Sequence, residues 1–239
     1  MGCGQEARKN YYGELINVIK HDEITYSFDF NCDDIKSWNE GDSSMLIVSV
    51  DDTIVGKKFS YASLQEDKYI RFTTRISEAC SEYKNALSNL VKGEYVKISE
   101  PTGNFGLKRE NRPVVLLSNG VGISAVRSLV KSFVNNQDLI PKMIQFNVDS
   151  RSNIYKEEFD SYRSELTQFQ SYYLSNRNTY YSMLNHELRI LLKNDSVVPY
   201  IYIVGSESFV SENMRYLLDL GLTEKDLIVD DESTGCCHS

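Results

Sequence analysis

From residue 112 onward the chain alternates short, continuously apolar runs with longer segments of helical period, and that alternation leaves few folds open. The apolar runs at 113–118, 142–148, 169–175, 200–204 and 226–229 are of strand length. Segments of helical pattern at 124–135, 154–166, 180–192 and 208–220 lie between them. A strand that returns through a helix to the same sheet crosses over right-handedly, so its neighbours run parallel and helices cover both faces. The second half of the chain is therefore predicted to be an α/β domain with a Rossmann-like parallel sheet.

The first hundred residues have another texture. Alternating runs at 12–20, 24–30, 44–50, 53–61 and 69–76 are separated by turn residues such as His21-Asp22 and Asn39-Glu40-Gly41-Asp42, which predicts an antiparallel β-barrel or sandwich. One helix interrupts them at 81–91, where Tyr83, Leu87, Leu90 and Val91 share a face and Lys92-Gly93 supplies a stop. A further strand is expected at 94–99. The charged stretch 106–112 reads as the boundary. We expect a β-domain over 1–110, with a flexible leader at 1–10, and the α/β domain over 111–239, with a flexible tail at 233–239.

Charge and cysteine usage narrow the function. Lys plus Arg number 26 against 34 Asp plus Glu, a net charge of −8 with no sustained basic block, which argues against nucleic acid as the partner. The five cysteines Cys3, Cys32, Cys80, Cys236 and Cys237 include no C-x-x-C pair and no finger spacing, so reduced thiols in a cytoplasm are expected. Cys236, Cys237 and His238 stand together at the end of the sequence, but adjacent cysteines chelate poorly and no metal site is expected. No apolar run approaches the roughly 20 residues of a membrane span. The opening residues lack the apolar core of a secretory signal, and Glu6 stands where an N-myristoylation motif has Ser or Thr.

Three constellations carry types of residue with chemical use. Gly120-Val121-Gly122-Ile123-Ser124-Ala125 joins a buried strand to a helix, where glycines let a pyrophosphate approach the backbone and the helix N-terminus offers unpaired N–H groups. The same glycines also suit a plain tight turn. Lys57-Lys58-Phe59-Ser60-Tyr61-Ala62-Ser63 combines cations, rings and hydroxyls at a strand end, or is an ordinary edge strand. Glu100-Pro101-Thr102-Gly103-Asn104-Phe105-Gly106 is a turn after the sixth strand.

In order and spacing these pieces resemble the ferredoxin–NADP⁺ reductase family over residues 11–232. That resemblance implies an FAD-binding barrel followed by an NAD(P)H-binding α/β domain. The family's Arg-x-Tyr-Ser-x-x-Ser is similar to Lys57-Lys58-Phe59-Ser60 with Ser63, with Lys for Arg and Phe for Tyr. By resemblance, Phe59 would lie against the isoalloxazine, Ser60 near its N5, and Lys57 on the FAD pyrophosphate. Phe72-Thr73-Thr74-Arg75 would pass the ribityl and phosphate portion through Thr73 and Arg75. Gly-x-x-Ser at a helix start resembles Glu78-Ala79-Cys80-Ser81, which assigns Ser81 to the flavin. The Gly-Pro-x-Gly-x-Phe turn brings in Gly103 and Phe105, and the Gly-x-Gly-x-Thr-Pro loop brings in Gly120, Gly122 and Ser124.

In the second domain, Ser150-Arg151-Ser152-Asn153-Ile154-Tyr155-Lys156-Glu157-Glu158-Phe159 resembles the Ser-rich loop and Leu-Tyr-Lys-Glu-Glu-Phe of plant-type reductases, which brings in Tyr155, although the helical spacing of Tyr155, Phe159 and Tyr162 also suits plain core packing. Arg151 and Arg177 follow successive strands, where such sheets bind ligands, and a guanidinium pair suits a ribose 2′-phosphate. NADPH is therefore favoured over NADH, although Asp149 opposes a phosphate. Val204-Gly205-Ser206 stands where the family has Cys-Gly-Pro, making Gly205 a nicotinamide-side residue. Glu232 stands for the terminal Glu-x-aromatic. The resemblance implies an FAD enzyme that takes a hydride from NAD(P)H and hands electrons to a separate acceptor such as a ferredoxin, a flavodoxin or an oxygenase component, with Ser60 and Glu232 closest to the chemistry. The alternative is a binding or regulatory module that keeps the fold and has lost turnover.

Overall fold

In the computed structural model, which describes residues 9–194 and 197–230, the chain divides between Gly103 and Asn104 into two units. The first holds strands β1 Asn10–Lys20, β2 Thr25–Asn31, β3 Ser43–Val50, β4 Thr53–Ser60, β5 Ile70–Arg75 and β6 Tyr95–Ser99, with helix α1 at Glu82–Ser88. They form one antiparallel sheet in the order β4-β3-β6-β1-β2-β5. A register shift in β1 between Leu15 and Asn17 bends the sheet. The outer strands meet at the corner after β4, where the Ala62 N–H donates to the Arg71 carbonyl over 2.9 Å. The result is a curled half-barrel, as the alternating strands predict.

The concave core follows from the period of two. Leu15, Phe28, Phe30, Leu46, Ile70, Phe72 and Ile98 pack with Tyr83 and Leu87 of α1. The helix is shorter than its apolar pattern predicts. Glu94 takes the Val91 amide at 2.8 Å, and Gly93 adopts φ +94°, so helical bonding ends at Ser88. The opposite face of β2 and β5 is polar and, apart from the half-buried Arg75, buried. Its cross-strand pairs are Thr25 with Arg75, Ser27 with Thr73, and Asp29 with Arg71. The last is a two-bond ion pair, with Nε to Oδ1 at 2.6 Å and the second guanidinium nitrogen to Oδ2 at 2.8 Å.

The second unit contains β7 Val114–Asn119, α2 Ile123–Asn135, β8 Met143–Val148, α3 Lys156–Glu165, β9 Phe169–Leu174, α4 Arg177–Asn194, β10 Tyr200–Val204, α5 Glu207–Asp219 and β11 Leu227–Val229. All five strands are parallel, in the order β11-β10-β7-β8-β9. Val115, Leu117, Phe146, Ile201 and Ile203 form one apolar face with Tyr180, Leu184 and Leu188 of α4 and Phe209 and Leu217 of α5. The Rossmann-like expectation is met.

The segment after Gly103 packs with this second unit, ahead of the boundary that its charge pattern predicts. Phe105 is 1% exposed and meets the Tyr202 ring edge-on at 5.3 Å. The Tyr202 hydroxyl donates to the Gly106 carbonyl and accepts from the Lys108 amide. Among the described residues no helix is long and apolar enough to cross a membrane.

Candidate functional site

Strand order fixes where a ligand can enter the second unit. The chain runs from β7 outward through β8 and β9, then returns to β10 on the other side of β7. The loops leaving β7 and β10 therefore diverge, and the carboxyl edge between them is a topological switch point. There Gly120–Gly122 makes a single 3₁₀ turn that runs directly into α2. A Cβ on Gly122 would stand 3.0 Å from the Val204 carbonyl and 3.3 Å from the Gly205 Cα. A Cβ on Gly205, whose φ is +153°, would stand 2.9 Å from the Asn119 Cβ. Only glycine permits this backbone-to-backbone approach, which leaves the amides at the start of α2 bare of side chains. Ser124 does not add its hydroxyl to that edge, because the hydroxyl closes the turn by donating to the Val121 carbonyl at 2.8 Å. Ser206 caps α5 and accepts from the Phe209 amide.

The next loop, 149–155, lies against the end of β9. The Asp149 amide donates to the Leu174 carbonyl at 2.9 Å, and the Asp149 carboxylate accepts the Arg151 amide at 3.0 Å. Arg151 is exposed. Arg177, at the start of α4, is also exposed, but one of its guanidinium nitrogens holds both carboxylate oxygens of Glu212 on α5, at 2.9 and 2.7 Å. The expected pair of available guanidinium groups is thus reduced to one. Tyr155 takes the core position open to an aromatic residue at this helix start. It is 9% exposed, sits at φ +62°, and its ring lies 5.0 Å from the Arg127 guanidinium carbon, so it packs inside the unit.

In the first unit the expected flavin residues separate into two groups. Lys57 and Phe59 share a face of β4 with Tyr83. The Lys57 ammonium sits 5.9 Å from the Tyr83 ring centre, and the half-buried Phe59 stacks on that ring at 6.3 Å and 20°. Among the described residues Lys57 makes no ion pair. Ser60 ends β4, and Ser81 is the N-cap of α1, accepting weakly from the Lys84 amide at 3.5 Å.

The second group is taken up by the fold. Ser63 is fully buried, and its hydroxyl accepts the Arg71 amide at 2.9 Å. Thr73 is 4% exposed and shares a hydroxyl bond of 2.7 Å with Ser27, which in turn meets His21 Nε2. Arg75 lies beside Thr25 on the same polar face. Gly103 admits the Gly41 backbone, whose carbonyl oxygen would stand 2.7 Å from an added Cβ. Phe105 belongs to the second unit, where it is core, as described above. Ser63, through the Arg71 amide, holds the corner that follows Ser60.

Acid–base character near that corner is limited. Burial pushes the hydroxyls of Tyr61 and Tyr83 well up, so both stay neutral near pH 7. Burial also raises the Asp42 carboxyl, partly offset by the Asn39 amide that it accepts. The Asp42 carbonyl in turn holds the Tyr61 amide, next to Ser60. Glu232, expected beside the chemistry, lies outside the described residues, as do Cys236, Cys237 and His238.

Motif reading passed over two charged pairs. Arg127 is 6% exposed on α2 and binds Glu158 of α3 through two bonds of 2.7 and 2.9 Å. The available signal was one cation inside the apolar run Ala125 to Val130. Asp29 with Arg71 is the other, visible in sequence only as isolated charges in two strands.

No family model matches the chain. It is 25% identical, in an alignment of 219 positions that covers 77% of this chain, to one of the subunits of the Na(+)-translocating NADH-quinone reductase of Chlamydia trachomatis serovar A, and it spans 50% of that protein. Among solved structures, it matches the CS-b5R domains of human Ncb5or in the NAD⁺ form with a TM-score of 0.78 at 18% identity, over 94% of this chain and 70% of that one. It matches a ferredoxin NADP⁺ reductase from Neisseria gonorrhoeae with bound FAD and NADP with a TM-score of 0.76 at 14% identity, over 94% and 98%. The chain has the two-unit fold of the ferredoxin–NADP⁺ reductase-like flavin reductases.

Proposed function

We propose that the protein is an FAD-dependent oxidoreductase that takes a hydride from a reduced nicotinamide dinucleotide and passes electrons to a separate acceptor. The observation that carries this reading is the glycine-to-backbone contact of Gly122 with Val204 and Gly205 at the switch point, a cradle that any Cβ would fill. Bare helix-start amides opposite a second glycine loop suit a pyrophosphate. In the first unit the residues also fit a flavin. Lys57 brings a cation with no carboxylate partner among the described residues, Phe59 a half-buried ring, and Ser60 a hydroxyl at a strand end, 7% exposed. Bound FAD supplies the hydride-accepting ring and releases electrons in one- or two-electron steps. The chain's own residues bind and orient: Lys57 neutralises phosphate charge, and Ser60 offers a hydrogen bond to the ring's reactive edge. Tyr61 and Tyr83 keep their protons and shape the aromatic floor.

The nucleotide reading shifts from the phosphate-bearing donor toward NADH. A 2′-phosphate would enter a neighbourhood that already holds the Asp149 and Glu212 carboxylates, with Arg177 engaged by the latter. A carboxylate at the end of the second strand of such a sheet suits a ribose hydroxyl instead. The relative from Chlamydia trachomatis is named for NADH.

The test is an anaerobic titration of the purified protein with NADH and then NADPH, following flavin absorbance. Bleaching by either nucleotide supports the reductase reading, and faster bleaching by NADH supports the nucleotide assignment. A yellow protein that neither bleaches would point to a flavin-binding module without turnover. A colourless protein that FAD does not reconstitute would remove the flavin assignment.

A further inference from the structure

The loop 149–155 is held from behind by a buried cation. Arg127 lies one turn into α2, the helix that starts from the Gly120–Gly122 turn. Its guanidinium makes a two-bond fork with Glu158, in the first turn of α3, and lies against the ring of Tyr155. The Tyr162 hydroxyl also donates to Glu158, at 2.9 Å, on the Oε1 that takes one of the Arg127 bonds. The Tyr173 hydroxyl donates to the Ile154 carbonyl at 3.0 Å, so β9 holds the loop end as well.

Tyr155 has a non-glycine φ of +62°, a strained backbone state that persists only where its surroundings over-determine it. The surroundings here are the Arg127 guanidinium, the Glu158 fork and the Tyr173 bond. A single side chain thus links the two loops that flank the carboxyl ends of β7 and β8, and a packed ion pair of this kind has one low-energy geometry.

We propose that Arg127, through Glu158 and Tyr155, is a positioning residue that sets loop 149–155 against the Gly120–Gly122 turn, and so aligns Asp149 and Arg151 with the adenosine ribose of a bound dinucleotide. The inference rests on the dinucleotide reading given above and deepens it. Arg127 is 6% exposed and acts through the loop, not by contact with the ligand. Its effect is confined to the adenosine half, because the structure that it fixes lies at β8 and not at the loop after β10.

The test uses the full-length, FAD-loaded protein and two kinds of probe. Binding of ADP-ribose is measured by calorimetry, and reductive turnover is measured with NADH and with dihydronicotinamide mononucleotide, which lacks the adenosine half. Arg127→Met and Glu158→Gln are expected to weaken ADP-ribose binding roughly tenfold and to raise the NADH KM while kcat holds, as a misplaced contact loop does. Arg127→Lys, which keeps the charge and loses the fork, falls between them and the parent. Turnover of the mononucleotide stays at the parent value in all three.

Unchanged ADP-ribose binding in the folded variants would overturn the proposal, and so would an equal loss with both donors, which marks general structural damage. If Arg127→Met does not fold, Glu158→Gln and Arg127→Lys decide the matter by the same criteria. A parent protein that neither binds ADP-ribose nor is reduced by either donor would remove the dinucleotide reading itself, and this proposal with it.

Discussion

Arg177 gives a single guanidinium nitrogen to both oxygens of Glu212, so the cation nearest the end of β9 is already matched by an anion from α5. The arginine side chain is 58% exposed, and exposed pairs contribute only about 0.2–1 kcal/mol. Glu212→Gln removes the anion without changing shape and frees Arg177 for a phosphate. The ratio of kcat/KM for NADPH to that for NADH should rise by at most about fivefold, the upper end of what this energy corresponds to. Steady-state kinetics with both donors checks it, and an unchanged ratio would detach Arg177 from nucleotide choice.

Gly122 has no room for a side chain on its β10 side. In Gly122→Ala the new methyl meets the Val204 carbonyl at 3.0 Å, and that atom is backbone, so the two loops must separate. Overpacking of this sort costs about 1–3 kcal/mol. Nucleotide binding should weaken while the flavin spectrum stays as in the parent, because the altered loop belongs to the second unit. Calorimetry with ADP-ribose beside a visible spectrum separates the two effects.

These cases show how far the sequence was legible. Parallel-sheet strands were readable because burial on both faces leaves unbroken apolar runs such as Val114 to Leu117, and the glycine turn was readable because its residue type is dictated by space. The roles of Ser63, Thr73 and Phe105 were not. A hydroxyl or a ring looks the same in a motif whether it faces a ligand or a neighbouring strand, and here Ser63 holds the Arg71 amide while Phe105 meets Tyr202. Arg127 and Glu158 lie 31 positions apart, on successive helices, so their fork is a product of tertiary packing that no local pattern announces.

The polar face of β2 and β5 makes a stability prediction. Asp29 and Arg71 are 4% and 10% exposed in their side chains. Arg71→Met leaves the Asp29 carboxylate buried with only the Asn17 amide at 3.2 Å to hold it. Breaking one side of such a pair costs about 3–5 kcal/mol. Replacing both residues, as Arg71→Met with Asp29→Leu, should return much of that loss, because the charge to be desolvated goes with the pair. Denaturant midpoints of the single and double variants decide it.

Acid sensitivity should centre on Asp226. Desolvation raises its carboxyl, but hydrogen bonds from Thr223 and Arg112 outweigh that and leave it below the usual value. A carboxylate lowered in the folded state stabilises at pH above its unfolded value of about 3.9, and that contribution is lost as pH falls through the lowered folded value. The stability difference between the parent and Asp226→Asn should therefore be constant near neutrality and shrink once the pH drops below about 4. Denaturation at pH 7 and at pH 3 measures both ends.

Lys57 decides the flavin half of the proposal. Its ammonium lies 5.9 Å from the Tyr83 ring centre and pairs with no carboxylate among the described residues, so its charge is not neutralised by an anion of the fold. Lysine meets phosphate as a point charge, whereas arginine offers a planar fork that matches two oxygens at once. If the cation serves the pyrophosphate, Lys57→Arg should tighten FAD binding and Lys57→Met should weaken it by roughly tenfold, since charge-assisted bonds are about twice as strong as neutral ones. If it serves only the fold, packing on Tyr83 explains its place. Then Lys57→Met, which keeps a linear apolar stem, leaves FAD affinity unchanged. Equilibrium titration of the apoprotein with FAD, followed by flavin fluorescence, separates these outcomes, and equal affinities in all three proteins would move the pyrophosphate away from β4.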